Sequence, residues 1–244
     1  MKFREIENMT QEEMEQAMTY VRERLPPGGE ILFLSLTGSR AFGWGGTLYD
    51  RDVRFVFVPV EDEFWDTCHI GIHGYDIHGE EINHLFRRMT ERWTAYEDHS
   101  KAFWVNPKFD HNKFMSFVGL NNVTGHRHTV KMEVMKLRSA PAVRTALHCY
   151  RQHMEPIHFL RTGEIEINVL KINEKLKCEC LDSLVEMYMT REWKEIDYDP
   201  IFEELDQLAY TLDYEIENSN IPMFDKEAHN IWVEEVLSIF NHTV

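Results

Sequence analysis

No stretch of the 244-residue chain approaches the roughly 18 to 20 consecutive apolar residues that a membrane-spanning helix needs. The opening residues, Met1-Lys2-Phe3-Arg4-Glu5, lack the apolar core of a signal peptide. Both absences lead us to expect a soluble cytoplasmic protein with no membrane partner. Without an export signal, the sequons at Asn8-Met9-Thr10 and Asn122-Val123-Thr124 carry no weight. There are only four cysteines and no CxxC pair. Cys178-Glu179-Cys180 lacks the two-residue gap of a zinc knuckle, and no second pair sits at zinc-site spacing. A disulfide framework is likewise not expected, and a reducing compartment suits all four thiols. Repeats and low-complexity tracts are absent, which excludes a solenoid. Positive charge is also scarce: the net charge is −16. Such a surface repels duplex DNA unless a local basic face exists.

Apolar residues make up 43% of the chain and aromatic residues 12%, enough for a substantial core in one large domain or two small ones. The charge is unevenly spread. Residues 162–244 hold twenty acidic and six basic side chains. Residues 126–161 instead hold seven basic side chains against Glu133 and Glu155. The acidic tail reads as a solvated helical surface.

Thr10-Gln11-Glu12-Glu13 predicts a capping box and a helix running to about Leu25, stopped by Pro26-Pro27-Gly28-Gly29. A short strand buried on both faces is expected over residues 31–36. A second is expected over 52–60, with Pro59 marking its departure from the sheet. A third falls within 68–78. After Gly79, the spacing of Ile82, Leu85, Phe86 and Met89 is helical. Beyond about Pro107 helices dominate, over 130–138, 143–160, 165–189 and 227–240. Ile201, Leu205, Leu208, Leu212 and Ile216 form one further stripe. The reading is an α+β chain: a small mixed β-sheet domain over residues 1–110, followed by an all-α region over 111–244.

The segment that carries chemistry is Leu36-Thr37-Gly38-Ser39-Arg40-Ala41-Phe42-Gly43, followed by Tyr49-Asp50-Arg51-Asp52-Val53-Arg54. Glycine lets a strand turn sharply and a ligand come close. A helical turn after it would aim N–H groups and the Ser39 hydroxyl at an anion such as a triphosphate. Asp50 and Asp52 share one strand face, roughly 6.6 Å apart. Carboxylates so placed can hold hard dications, and two ions about 3.5 to 4 Å apart can clamp an in-line displacement. Asp52 opens a strand that is otherwise apolar. A metal, or Arg54 on the same face, would relieve the cost of its burial.

This segment resembles the DNA polymerase beta-like nucleotidyltransferase superfamily. More narrowly, it is similar to the YcgL-like predicted nucleotidyltransferases of bacteria and phages. That group has a GSRAxG turn followed by an SDYDxR-type segment. The resemblance is specific from Leu36 to Leu85 and faint from there to about Gly163. It implies a small mixed-sheet nucleotidyltransferase domain and a third carboxylate ligand. Asp76, in Tyr75-Asp76-Ile77-His78-Gly79-Glu80-Glu81-Ile82, occupies that place, with Asp66 and Glu80 as fallbacks. It also implies a helical cation pair at Arg144 and Arg151. This chain departs from the pattern at Thr47-Leu48-Tyr49, where the group has serine, at Arg51, and at Arg144, where the group has lysine.

The resemblance implies Mg²⁺ or Mn²⁺, as two ions on Asp50, Asp52 and Asp76, and a nucleoside triphosphate seated at Gly38-Ser39. An acceptor hydroxyl attacks the α-phosphorus; the acceptor could be an RNA end, a protein or a small molecule. Arg40 and Arg54 either neutralise phosphate charge or make structural ion pairs. Arg144 and Arg151 either face the phosphates or pair with the acidic tail. His148 lies one turn from each, as a ligand contact or a packed residue. Trp44, Trp65, Trp93 and Trp104 could stack a base or fill the core. The rival reading is a drifted fold that acts as a binding or inhibitory protein. A phosphohydrolase is disfavoured because no histidine-rich metal motif accompanies the aspartates.

Overall fold

The computed structural model describes residues 3–25, 28–46, 49–59, 67–72, 74–192 and 195–241. The expectations that fall on Pro26, Pro27, Thr47, Leu48, Val60, Trp65 and Asp66 lie outside these residues. The first half runs α1 (Gln11–Arg24), β1 (Glu30–Thr37), α2 (Gly38–Ala41), β2 (Arg51–Val58), β3 (Thr67–Ile72), β4 (Tyr75–Glu81), α3 (Ile82–Met89), α4 (Thr94–Glu97) and β5 (Ala102–Val105). The second half is helical: α5 (His111–Met115), α6 (Leu120–Ser139), α7 (Val143–Thr162), α8 (Val169–Leu176), α9 (Glu179–Thr190), α10 (Asp199–Glu217) and α11 (Lys226–Asn241). The architecture is thus α+β, as the sequence predicts.

The strands form one mixed sheet in the order β3-β4-β2-β1-β5. β1 is antiparallel to β2 and β5, β3 is antiparallel to β4, and β2 and β4 run parallel. Side-chain alternation assigns the faces. Val53, Phe55 and Phe57 of β2 enter one apolar cluster with α1 and the helices α6 to α10. Val56 and Val58 enter another, with α3, α4, α5 and α11. Asp52 and Arg54 therefore share the face of Val56 and Val58 and form its polar end. The first cluster joins residues from both halves of the chain, such as Phe55 with Ala146 and Leu147.

The capping box closes as read: the Glu13 amide donates to Thr10 Oγ1 at 3.2 Å, and the Thr10 amide donates to Glu13 Oε2 at 2.8 Å. β2 ends at Val58, ahead of Pro59. Three expectations need correction. The strand expected within 68–78 is a hairpin of β3 and β4 turned at Gly74, whose second strand runs on to Glu81, and α3 then opens at Ile82 where the apolar spacing begins. The helix expected over 165–189 is two, because Lys177 adopts left-handed backbone at φ 61° and the Asn173 side chain bonds both backbone groups of Cys178. The helix expected over 130–138 starts at Leu120, where the Asn122 side chain accepts from the Gly119 amide. β5 was not anticipated.

Candidate active site

The Gly38 turn and the strand ends around it open onto a cavity of about 680 Å³. Gly38, Ser39, Asp50, Asp52, Arg54, Asp76, Arg144 and Arg151 all line it. They converge because of sheet register. Asp52 stands opposite Thr37 on β1 and directly beside Asp76 on the parallel strand β4. Arg54 stands beside His78 in the same ladder. Gly38, at φ 70°, holds the left-handed backbone that favours glycine, and its missing side chain makes room for Asp52. A Cβ at Gly38 would lie 1.8 Å from Asp52 Oδ2. Arg51, between the two aspartates, points to the other face, where it binds Glu13 at 2.5 Å.

The electrostatics are those of an anionic cleft end. Burial pushes the Asp52 carboxyl up to about 6, and the charges of Asp76 and Asp50 add to the effect; Arg54 and Arg144 oppose it. For Asp76, burial also pushes upward, but a hydrogen bond from His69 and the charge and hydrogen bond of His78 outweigh it. Its Oδ1 lies 2.6 Å from His69 Nε2 and 3.1 Å from His78 Nε2. Among the described residues, His69, Asp76 and His78 are the group whose donor atoms all lie within 4.8 Å of one another. Asp50, Asp52 and Asp76 line one cavity at wider spacing. The donor set fits hard dications: three carboxylates line one polar cavity, and the proton affinity of one of them is raised by burial and by its two acidic neighbours. The buried Nε of Arg54 has no acceptor among the described residues, which fits an anionic ligand.

The other expected contacts divide. Arg40 is buried and is not among the residues lining the cavity. Its guanidinium donates to the carbonyls of Tyr49 and Asn8 and to Glu13, so it braces the turn from behind. Glu80 is committed elsewhere. Burial pushes its carboxyl up, but His99 and Arg88 bind it and hold it at about 2. On α7, Arg144 is exposed at the mouth, whereas Arg151 is buried between Glu97 and Glu155 and lies 4.2 Å over the Phe42 ring. Burial pushes Glu155 upward against the charge of Arg151. The acidic tail is matched by other arginines of the basic stretch: Arg127 with Asp213, Arg138 with Asp206 and Arg161 with Glu215. His148 is lowered by burial and by the charge of Arg144, and packs edge-on against Trp44. Trp44 lines the cavity, and Trp93 and Trp104 are buried in the core.

Several lining residues carried no sequence signal. Tyr49 and Tyr188 stack at 5.1 Å, and the Tyr49 hydroxyl donates to the Tyr188 carbonyl at 2.5 Å. Glu97 and Asp98 line the cavity at the end of α4. His69 and His78 come together only through pairing of β3 with β4. The turn is also tied to the helical half, because the Val169 amide at the head of α8 donates to the Phe42 carbonyl at 3.0 Å.

Among the described residues no helix is long and apolar enough to cross a membrane. No family model matches the chain, and no curated protein matches it. Among solved structures, the chain is similar to a nucleotidyltransferase-like protein from Exiguobacterium sibiricum 255-15. The two are 12% identical over 84% of this chain and 75% of that one, with a TM-score of 0.28.

Proposed function

We propose that the chain is a metal-dependent nucleotidyltransferase that moves a nucleoside monophosphate from a triphosphate to an acceptor hydroxyl. The observation that carries this reading is the in-register pair Asp52 and Asp76, set against the Gly38 turn in a cavity that Arg54 and Arg144 also line. Asp50, Asp52 and Asp76 would hold Mg²⁺ or Mn²⁺, as a pair of ions. Such ions neutralise the phosphates and lower the pKa of the attacking hydroxyl.

The chain's own residues bind and orient. Gly38 and Ser39 receive the phosphates at the turn, with the Asp52 carboxylate held close against Gly38, where a larger residue would displace it. Arg54 and Arg144 supply positive charge as negative charge shifts onto the leaving pyrophosphate. Arg151 is a positioning residue, since it fixes Glu97 and the Phe42 ring behind the turn. In the reaction the acceptor oxygen bonds the α-phosphorus, the bridging bond to pyrophosphate breaks, and the hydroxyl proton is lost to solvent. The acceptor is an RNA end, a protein hydroxyl or a small molecule. The charge of −16 disfavours a long duplex.

The test incubates the protein with Mn²⁺ or Mg²⁺, each α-labelled triphosphate in turn, and cell extract as acceptor pool. Label transferred to a macromolecule or small molecule, and lost in the Asp50→Ala/Asp52→Ala double variant, is the expected result. No transfer, together with no metal-dependent triphosphate binding by calorimetry, would overturn the reading.

A further inference from the structure

Beside the carboxylates lies a second donor set of different chemistry. β3 and β4 are antiparallel, and His69 is the direct register partner of His78. Asp76 and His78 are two residues apart on β4, so both project from the same face. The three side chains thus form a triangle on one sheet surface, with Nε2 of each imidazole directed at Asp76 Oδ1. The rings are nearly parallel, at 20° and 4.3 Å between centroids, which brings both nitrogens to the same side of the carboxylate. The residue opposite Asp76 on β3 is Gly71, so no side chain crowds the carboxylate from that strand. The cluster is open to solvent on its outer side, where the His69 side chain is 59% exposed.

We infer that His69, His78 and Asp76 form a transition-metal site, distinct from the aspartate site and touching it through Asp76. Two imidazoles and one carboxylate are the ligands of Zn²⁺, Mn²⁺, Co²⁺ and Ni²⁺; Mg²⁺ and Ca²⁺ take oxygen donors instead. Metal–ligand bonds of about 2.0 to 2.2 Å set neighbouring donors roughly 3.0 to 3.5 Å apart; His78 and Asp76 already stand at 3.1 Å, and the exposed His69 ring, at 2.6 Å, has to draw back by less than about 1 Å to enclose an ion. Three protein ligands leave coordination positions open on the exposed side, for water or for an oxygen of a bound ligand. The site stands whether or not the protein transfers nucleotides.

The test uses the full chain, stripped of metal by chelator and titrated with Co²⁺, whose visible absorption reports ligand type and number. One saturable equivalent is expected, displaced by Zn²⁺ and unaffected by millimolar Mg²⁺. In His69→Ala/His78→Ala the absorption should disappear while the thermal melt in chelator stays in place, because both rings are partly exposed. In Asp50→Ala/Asp52→Ala it should persist, whatever that variant does to nucleotide transfer. No saturable absorption would overturn the assignment. So would absorption that survives loss of both imidazoles, as Cys178 and Cys180 would give, or absorption lost equally in the aspartate variant.

Discussion

Asp52 combines two demands that conflict in the metal-free protein. Its position beside Asp76 and under Gly38 suits a cation, yet without one its burial favours the neutral acid. The folded-state value of about 6 lies above the ordinary 3.8. Below both values the carboxyl is protonated in the folded and unfolded chains alike, and no stability is lost. As pH rises from about 4 through 6, the unfolded chain gives up its proton more readily, and the fold loses stability, by at most about 3 kcal/mol at neutral pH. Asp52→Asn is expected to abolish transfer while raising the melting temperature by several degrees at pH 7 and leaving it unchanged at pH 4. Calorimetric scans at the two pH values check this; equal melts at pH 7 would refute it. Gly38→Ala is expected to act in the opposite sense on stability. Its methyl would collide with Asp52 Oδ2 and sit at φ 70°, so both stability and transfer should fall, transfer by at least about a hundredfold. A transfer assay beside a urea melt measures both.

The element that separates binding from structure is α7. Arg144, His148 and Arg151 follow one another at helical spacing along a single face, and all three line the cavity. The sequence shows that shared face, since four- and three-residue steps return to it. It does not show that Arg151 is enclosed by Glu97, from a helix 54 residues away, and by Glu155, one turn on in α7. Arg151→Met is expected to destabilise by about 3 to 5 kcal/mol, because it leaves two buried carboxylates without their cation. Arg144→Met, on the exposed side, is expected to leave the melt within about 0.5 kcal/mol and to weaken triphosphate binding about tenfold or more. Denaturant unfolding and calorimetry on the two variants distinguish the roles. The same helix carries Pro156, whose missing amide leaves the Gln152 carbonyl without its helical donor. Where apolar spacing was regular, as in α1, α3, α7 and α10, the helices were legible in the sequence. Where polar residues start a helix, as Asn121, Asn122 and Thr124 do in α6, or where one left-handed residue splits a run, as Lys177 does, local periodicity gave no boundary. β5 has four residues, too few for an alternation to register.

At the scale of the whole molecule, the cavity draws on β1, α2, β2, β4, α4, α7 and α9. Its glycine turn and aspartates were readable because they lie close in sequence and carry a recognisable spacing. The histidine pair and the Tyr49–Tyr188 stack were not, since only strand pairing and helix docking bring them together. Under the proposed function, added Mg²⁺ or Mn²⁺ is expected to stabilise the fold in a pH-dependent way. Protons compete with the ion for Asp52, so the rise in melting temperature with added metal should be small at pH 5 and large at pH 7. An equal rise at both would place the ion elsewhere. The hydrogen bond from the Val169 amide to the Phe42 carbonyl fastens the glycine turn to the first residue of α8, far away in the chain. That amide exchanges with solvent only when turn and helix part. Whatever steadies the turn from the cavity side should therefore slow deuterium uptake at Val169, making it a remote gauge of occupancy that needs no knowledge of the acceptor.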